Sequence, residues 1–215
     1  MIKRLLLILA ALVCLMSFTA YADEEKFYEE TEDGQIKINL DCTLVSNPDY
    51  ERPYYRLLSS YTDENGEEWY VVGGQTDFAM KASDCTTQDY YCVDTSDETR
   101  LRIVKTALER NGSKYRFGSS GPDTYDCSGF VYACMSTVGI PVPHSSYGIC
   151  RIGRQIPIDA LQPGDVTGRG GHVGIYIGNG LFIHALNENE GVVIDSLSHY
   201  NTLNHFDHYI NVVDS

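Results

Sequence analysis

Apolar and polar positions alternate through Ile36–Leu40, and the runs Tyr54–Tyr61 and Trp69–Val72 flank Asp63-Glu64-Asn65-Gly66, a strong hairpin turn. Short strands in a small barrel are predicted here. Past the turn-forming stretch Asp94-Thr95-Ser96-Asp97 the period lengthens. Leu101, Val104 and Leu108 form a helical stripe, which Thr95 and Glu98 open at capping-box spacing and Asn111-Gly112 stops. A second striped run begins at Asp126-Cys127-Ser128-Gly129. It carries Phe130, Val131, Cys134, Met135 and Val138 on one side and is ended by Gly139 and Pro141. Cys127 is thereby predicted in the first turn of a helix.

His172–Ala185 reads as a hairpin whose register can be argued. A two-residue loop at Asn179-Gly180 would set Ile175 against His184 and mix apolar with polar residues on both faces. A three-residue loop, Gly178-Asn179-Gly180, sets Ile177 against Leu181 and Gly174 against His184. Val173, Ile175, Ile177, Leu181, Ile183 and Ala185 then share one face, and His172, Gly174, Tyr176, Phe182 and His184 share the other. The two histidines become diagonal neighbours within reach of a ring-to-ring hydrogen bond, and Gly174 leaves room beside them.

The N-terminus adds an address. Lys3 and Arg4 precede an apolar run from Leu5 to Phe18, and Ala20-Tyr21-Ala22 supplies a small-x-small cleavage pattern, so residues 1–22 are expected to be a signal peptide. The run falls short of the roughly 20 apolar residues of a spanning helix, and no stable membrane insertion is expected after cleavage. The protein is therefore expected to be secreted, extracellular or wall-associated, or periplasmic where an outer membrane exists. Its net charge of −14 disfavours nucleic acid and anionic lipid as partners. The acidity is uneven: Asp23–Glu98 holds 20 acidic and 5 basic residues, whereas Thr99–Ser215 holds 10 and 9. With the change in period, this divides the chain into residues 23–97, acidic, aromatic-rich and mostly β, and residues 98–215. Tyr50, Tyr54, Tyr55, Tyr61, Trp69, Tyr90 and Tyr91 offer a stacking face for sugar or peptide, or simply strand core.

Six cysteines follow the leader: Cys42, Cys85, Cys92, Cys127, Cys134 and Cys150. Export and an even count would ordinarily read as three disulfides, but a chain this long can build a core without them, so the count alone does not decide, and one working thiol would leave at least one other cysteine unpaired. Cys127 is the candidate for that thiol, because unpaired amides at a helix start favour the thiolate. Cys134 is expected in the core or paired with Cys150. A sulfur nucleophile needs an imidazole base and a third polar group to orient it, which His172 and His184 can supply. His144, His199, His205 and His208 read as surface or packing residues. No metal-ligand spacing is present, and no cofactor is expected.

Taken in order, Asp126-Cys127-Ser128-Gly129-Phe130, Leu161-Gln162-Pro163-Gly164-Asp165-Val166, His172–Gly180 and Ile183-His184-Ala185 resemble the NlpC-type family of bacterial cell-wall cysteine peptidases over about residues 98–213. The resemblance implies an α+β class. A papain-like catalytic domain, helices packed on an antiparallel sheet, follows the mostly-β domain, whose Trp69–Val72 segment resembles bacterial SH3-like modules. It implies Cys127 as nucleophile, His172 as base and later acid, and His184 as orienting residue. Asp126 would hold a substrate amine, Ser128 would line the substrate, and Tyr115 would lie on the oxyanion side. The implied partner is the peptidoglycan stem peptide, cut between D-γ-glutamyl and diamino acid by thiolate acyl transfer in a monomer. The alternatives are an N-acetylmuramoyl-L-alanine amidase on the same scaffold and a non-catalytic wall-binding protein. The chain departs from the family pattern at Gly118-Ser119, at His144-Ser145 in place of an Arg-Ser pair, and at Val166–Gly171 in place of an apolar strand. Arg169 or Arg116 would have to supply the missing guanidinium.

Overall fold

The structure, a computed structural model, describes residues 26–73 and 77–214. The expected signal segment 1–22 lies outside them. Strands β1 (Tyr28–Glu30), β2 (Ile36–Ser46), β3 (Tyr55–Thr62), β4 (Glu68–Val72), β5 (Phe78–Lys81) and β6 (Thr86–Val93) form an antiparallel sheet in the order β1-β2-β3-β4-β5, with β6 along the other side of β2. The turn joining β3 to β4 is the expected one. Asp63 Oδ1 accepts from the amides of Asn65 and Glu67, and Asp63 Oδ2 accepts from Trp69 Nε1. The aromatic residues do not make one binding face: Tyr55 and Tyr91 are buried, while Tyr50 and Tyr61 are exposed.

Residues 94–97 lead into α1 (Glu98–Leu108), then β7 (Lys114–Tyr115), β8 (Thr124–Tyr125), α2 (Cys127–Ser136), α3 (Ser146–Ile149), β9 (Arg154–Gln155), β10 (Val166–Arg169), β11 (His172–Gly178), β12 (Leu181–Asn187), β13 (Gly191–Ser196), α4 (Leu197–Asn204) and β14 (His208–Asn211). A second antiparallel sheet runs β13-β12-β11-β10-β14-β9. The cap of α1 corrects the expectation: Asp97, not Thr95, accepts from the Arg100 amide, and Thr95 Oγ1 instead accepts from the Asp97 amide. Both residue types cap well, and a shift of two positions separates them.

Leu101, Val104 and Leu108 of α1 and Phe130, Val131, Cys134 and Met135 of α2 share one buried cluster with Val173, Ile175, Ile177, Ile183 and Ala185 of the hairpin. Ile36, Ile38, Tyr91 and Val93 of the first sheet belong to the same cluster, so both parts of the chain are built on one core. Arg100 of α1 is buried with it, donating from Nη1 to Asp165 Oδ1 (2.9 Å) and Pro163 O, and from Nη2 to Asp214 Oδ2. This pair fastens the Leu161–Val166 segment to the helix. The opposite face of the second sheet is also covered: Phe182 packs with Leu197, Tyr200 and Phe206.

The β11–β12 loop differs from expectation. It has two residues, Asn179 (φ 55°) and Gly180 (φ 73°), closed by the pair Gly178↔Leu181. A bulge between Tyr176 and Gly178 then absorbs one residue and restores Tyr176↔Phe182 and Ile175↔Ile183. Continued toward the strand ends, this is the register that sets Gly174 against His184. Cys42, Cys85, Cys92, Cys127, Cys134 and Cys150 are all free thiols. Cys134 is core, wholly buried on the stripe of α2.

Candidate active site

The site lies where α2 begins against the start of β11. Asp126 caps the helix, its Oδ1 accepting from the Gly129 amide at 2.7 Å, which fixes Cys127 at the first helical position. The Cys127 thiol is directed at the backbone that carries His172, with Sγ 3.8 Å from the Gly171 carbonyl. Burial pushes this thiol up, while the amides of Val173, Ser128 and Cys127 itself act on it in the opposite direction. The net direction is upward: the helix start favours the anion, and the loss of water outweighs it.

His172 and His184 meet as the register requires, with His172 Nε2 2.6 Å from His184 Nδ1. Gly174 is needed between them, since a Cβ there would lie 2.9 Å from Phe182 Cδ2 and 3.0 Å from both His184 Cβ and the Ile183 carbonyl. Tyr200 and Phe206 stack on His172 at 6.1 and 6.3 Å between ring centres, shutting water from its flank. Burial drives His172 well below the ordinary histidine range, helped by His184 and the Arg169 charge, and burial lowers His184 as well. Both rings therefore rest neutral.

Beyond His184 the chain of bonds continues to a residue that the sequence reading missed. Asp195 of β13 has Oδ2 3.0 Å from His184 Nε2 and Oδ1 3.2 Å from Arg52 Nε. Burial would raise this carboxyl, but His184 and Arg52 outweigh it and hold Asp195 low, hence ionised. An ionised carboxylate only accepts, and this fixes every proton in the line. His184 donates from Nε2 to Asp195, its Nδ1 accepts from His172 Nε2–H, and the His172 lone pair is left on Nδ1. His172 follows in sequence the carbonyl that Cys127 Sγ approaches, and a neutral imidazole with a free Nδ1 is the form that can take a thiol proton as sulfur attacks a carbonyl.

The three expected substrate residues fare differently. Tyr115 is half-buried at the pairing Tyr115↔Tyr125 that leads into Asp126, and Cys127 and Asp126 add to the burial that raises its phenol. Ser128 is buried and turns its hydroxyl to Asp126 Oδ1 at 3.0 Å. Asp126 Oδ1 accepts from the Gly129 amide, Ser128 Oγ and His144 Nε2, and its Oδ2 from the Gly118 amide alone. Burial alone would raise its carboxyl, but these four bonds hold it low. His144 packs as a partner of Asp126, with Nε2 at 3.0 Å from its Oδ1. Arg169 lies opposite His172 in the β10–β11 register, with its Nε buried and unpartnered. Among the described residues no group of three or more His, Cys, Asp or Glu side chains is set to hold a metal ion.

Residues 112–210 match the NlpC/P60 family model. The "Probable endopeptidase" of Mycobacterium tuberculosis is 39% identical over 89 residues, which are 40% of this chain and 23% of the relative. The "Murein DD-endopeptidase MepS/Murein LD-carboxypeptidase" of Escherichia coli is 36% identical over 109 residues, 47% of this chain and 56% of the relative. The chain thus spans from about a quarter to just over half the length of these curated relatives. NlpC1 from Trichomonas vaginalis shares the fold, with a TM-score of 0.51 at 22% identity over 85% of this chain and 72% of that one.

Proposed function

We propose, from the match of residues 112–210 to the NlpC/P60 family model, that the protein is a cysteine peptidase that hydrolyses amide bonds of peptidoglycan stem peptides, with the D-γ-glutamyl to diamino acid bond the first candidate. The single observation that carries the reading is the line from His172 through His184 to Asp195, set next to the Gly171 carbonyl that Cys127 Sγ approaches at a helix start.

As Cys127 Sγ bonds to the substrate carbonyl carbon, His172 Nδ1 takes the thiol proton. The oxyanion is met by the Cys127 amide at the helix start, with the Tyr115 hydroxyl as second donor. Collapse breaks the C–N bond, and the leaving amine takes the proton from His172. Water then attacks the thioester, giving its proton to the same nitrogen, and the acid product leaves as Cys127 regains its hydrogen. Export through segment 1–22 delivers the enzyme to its wall substrate.

Asp126 Oδ2 takes a single bond, from the Gly118 amide, so the carboxylate keeps a lone pair for a substrate amine. The test is digestion of purified monomeric and cross-linked muropeptides by wild type and Cys127→Ala, read by mass spectrometry. Wild type is expected to cleave and the variant to leave the peptides intact. The product masses separate the γ-glutamyl, cross-link and amidase bonds, and unchanged peptides with wild type would defeat the proposal.

A further inference from the structure

We propose that Arg52, on the loop between β2 and β3, is a positioning residue for the Cys127–His172 chemistry, acting through Asp195 and His184. The inference rests on the reading of those two residues as nucleophile and base. It gives the first sheet a part in the reaction that no motif in the catalytic half announces.

Arg52 comes to Asp195 from 143 residues away in sequence. Its Nε donates to Asp195 Oδ1 at 3.2 Å, and its Nη1 to Glu190 Oε2 at 3.0 Å. The guanidinium side chain is 16% exposed and that of Asp195 20% exposed, so the contact is shielded without being sealed. Asp195 is therefore a bridge, one oxygen taking the guanidinium and the other the imidazole. Glu190 anchors the far end of the guanidinium and fixes its direction.

The bridge decides which nitrogen of His172 holds the proton. With Arg52 in place the carboxylate stays ionised and accepts from His184, and the His172 lone pair sits on Nδ1. Without Arg52, Asp195 is a shielded carboxyl facing a neutral ring, and it takes up a proton more readily as pH falls. A protonated Asp195 can donate to His184 Nε2. That reverses the line: His184 donates from Nδ1 to His172 Nε2, and the His172 proton moves to Nδ1, where it can no longer accept from the thiol.

The other groups around Asp195 do not take over this task. Glu190 and Glu51 are acids, and Glu51 faces His199 of α4 at 3.5 Å across the rim of a cavity of about 260 Å³ that Asp195, Arg52 and Tyr200 also line. Arg169 of β10 acts on His172 and Tyr200 and makes no bond to Asp195 among the described residues.

The test uses the full chain as wild type, Arg52→Gln, Arg52→Lys and Cys127→Ala, with kcat and KM on purified muropeptides followed between about pH 5 and 9. In Arg52→Gln the acid limb of kcat is expected to move up by about one to three pH units, the range for loss of an opposite charge beside a carboxylate. At the acid end kcat then falls by about tenfold or more, KM changes by less than about twofold, and the deficit narrows as pH rises. Arg52→Lys keeps the charge but not the fork, so its limb moves the same way by less. A residue that merely clamped the two sheets would lower activity equally at every pH. That result, or unchanged limbs in both variants, overturns the inference. If Arg52→Gln fails to fold, the limb of Arg52→Lys decides by the same criterion. Wild type without activity, or Cys127→Ala with it, would instead strike the underlying reading.

Discussion

Asp165→Asn removes one negative charge from the buried pair with Arg100 and changes little else in shape. Asp165 is wholly buried, and the Arg100 side chain is 2% exposed. Losing one partner of such a pair typically destabilises by about 3–5 kcal/mol, because the other charge stays buried without its counterion. Here Pro163 O and the half-exposed Asp214 still accept from the guanidinium, which places the loss near the lower end, about 3 kcal/mol. Against a typical stability of about 5–15 kcal/mol, this is a large fraction. For a urea m-value near 2 kcal/mol/M the midpoint should fall by about 1.5 M at unchanged m. The double variant Arg100→Met with Asp165→Leu, which leaves no buried charge in the pair, should lose less than the two single changes added together. Equilibrium urea unfolding followed by circular dichroism measures all of these. A loss below about 1 kcal/mol in Asp165→Asn, or strict additivity in the cycle, would refute the reasoning that this pair is coupled in a dry interior.

Acid stability should follow the buried imidazoles. His172 and His184 have folded values below the usual 6.5, so the unfolded chain binds more protons as pH falls beneath it, and stability present above that pH is lost at up to about 1.4 kcal/mol per pH unit for each ring. Urea midpoints measured down from neutral pH should show this slope, and His184→Gln should reduce it. Gly174→Ala forces a methyl against Phe182, His184 and the Ile183 carbonyl; a loss of about 1–3 kcal/mol is expected, with kcat reduced by about tenfold or more as the rings separate. Thiol titration under denaturing, non-reducing conditions should find Cys42, Cys85, Cys92, Cys127, Cys134 and Cys150 all reactive.

What the sequence makes legible is what short range decides. Cys127 at a helix start follows from a capping residue followed by an apolar stripe, and the meeting of His172 and His184 follows from sorting one hairpin into two faces. The loop is one residue shorter than the sequence predicts while the register near the histidines is the predicted one, because a bulge at Ile177 absorbs the same residue that a longer loop would have spent. Asp195 is partly legible in retrospect. It breaks the apolar run Val192-Val193-Ile194, and the pairing Phe182↔Asp195 puts it on the histidine face. Arg52 leaves no such trace, since its contact exists only once two sheets share a core. Cysteine count could not say which thiols lie within reach of one another, and helix position could not weigh the burial that opposes the helix start at Cys127.

The central claim is that the sulfur of Cys127 performs the hydrolysis, and stoichiometric inactivation tests it most directly. Native protein is treated with graded iodoacetamide, the modified fraction at each cysteine is read by peptide mass mapping, and residual muropeptide cleavage is measured on the same samples. Activity is predicted to fall in one-to-one proportion to modification of Cys127, whatever the labelling of Cys42, Cys85 or Cys92. Full activity in protein whose Cys127 is completely alkylated would contradict it.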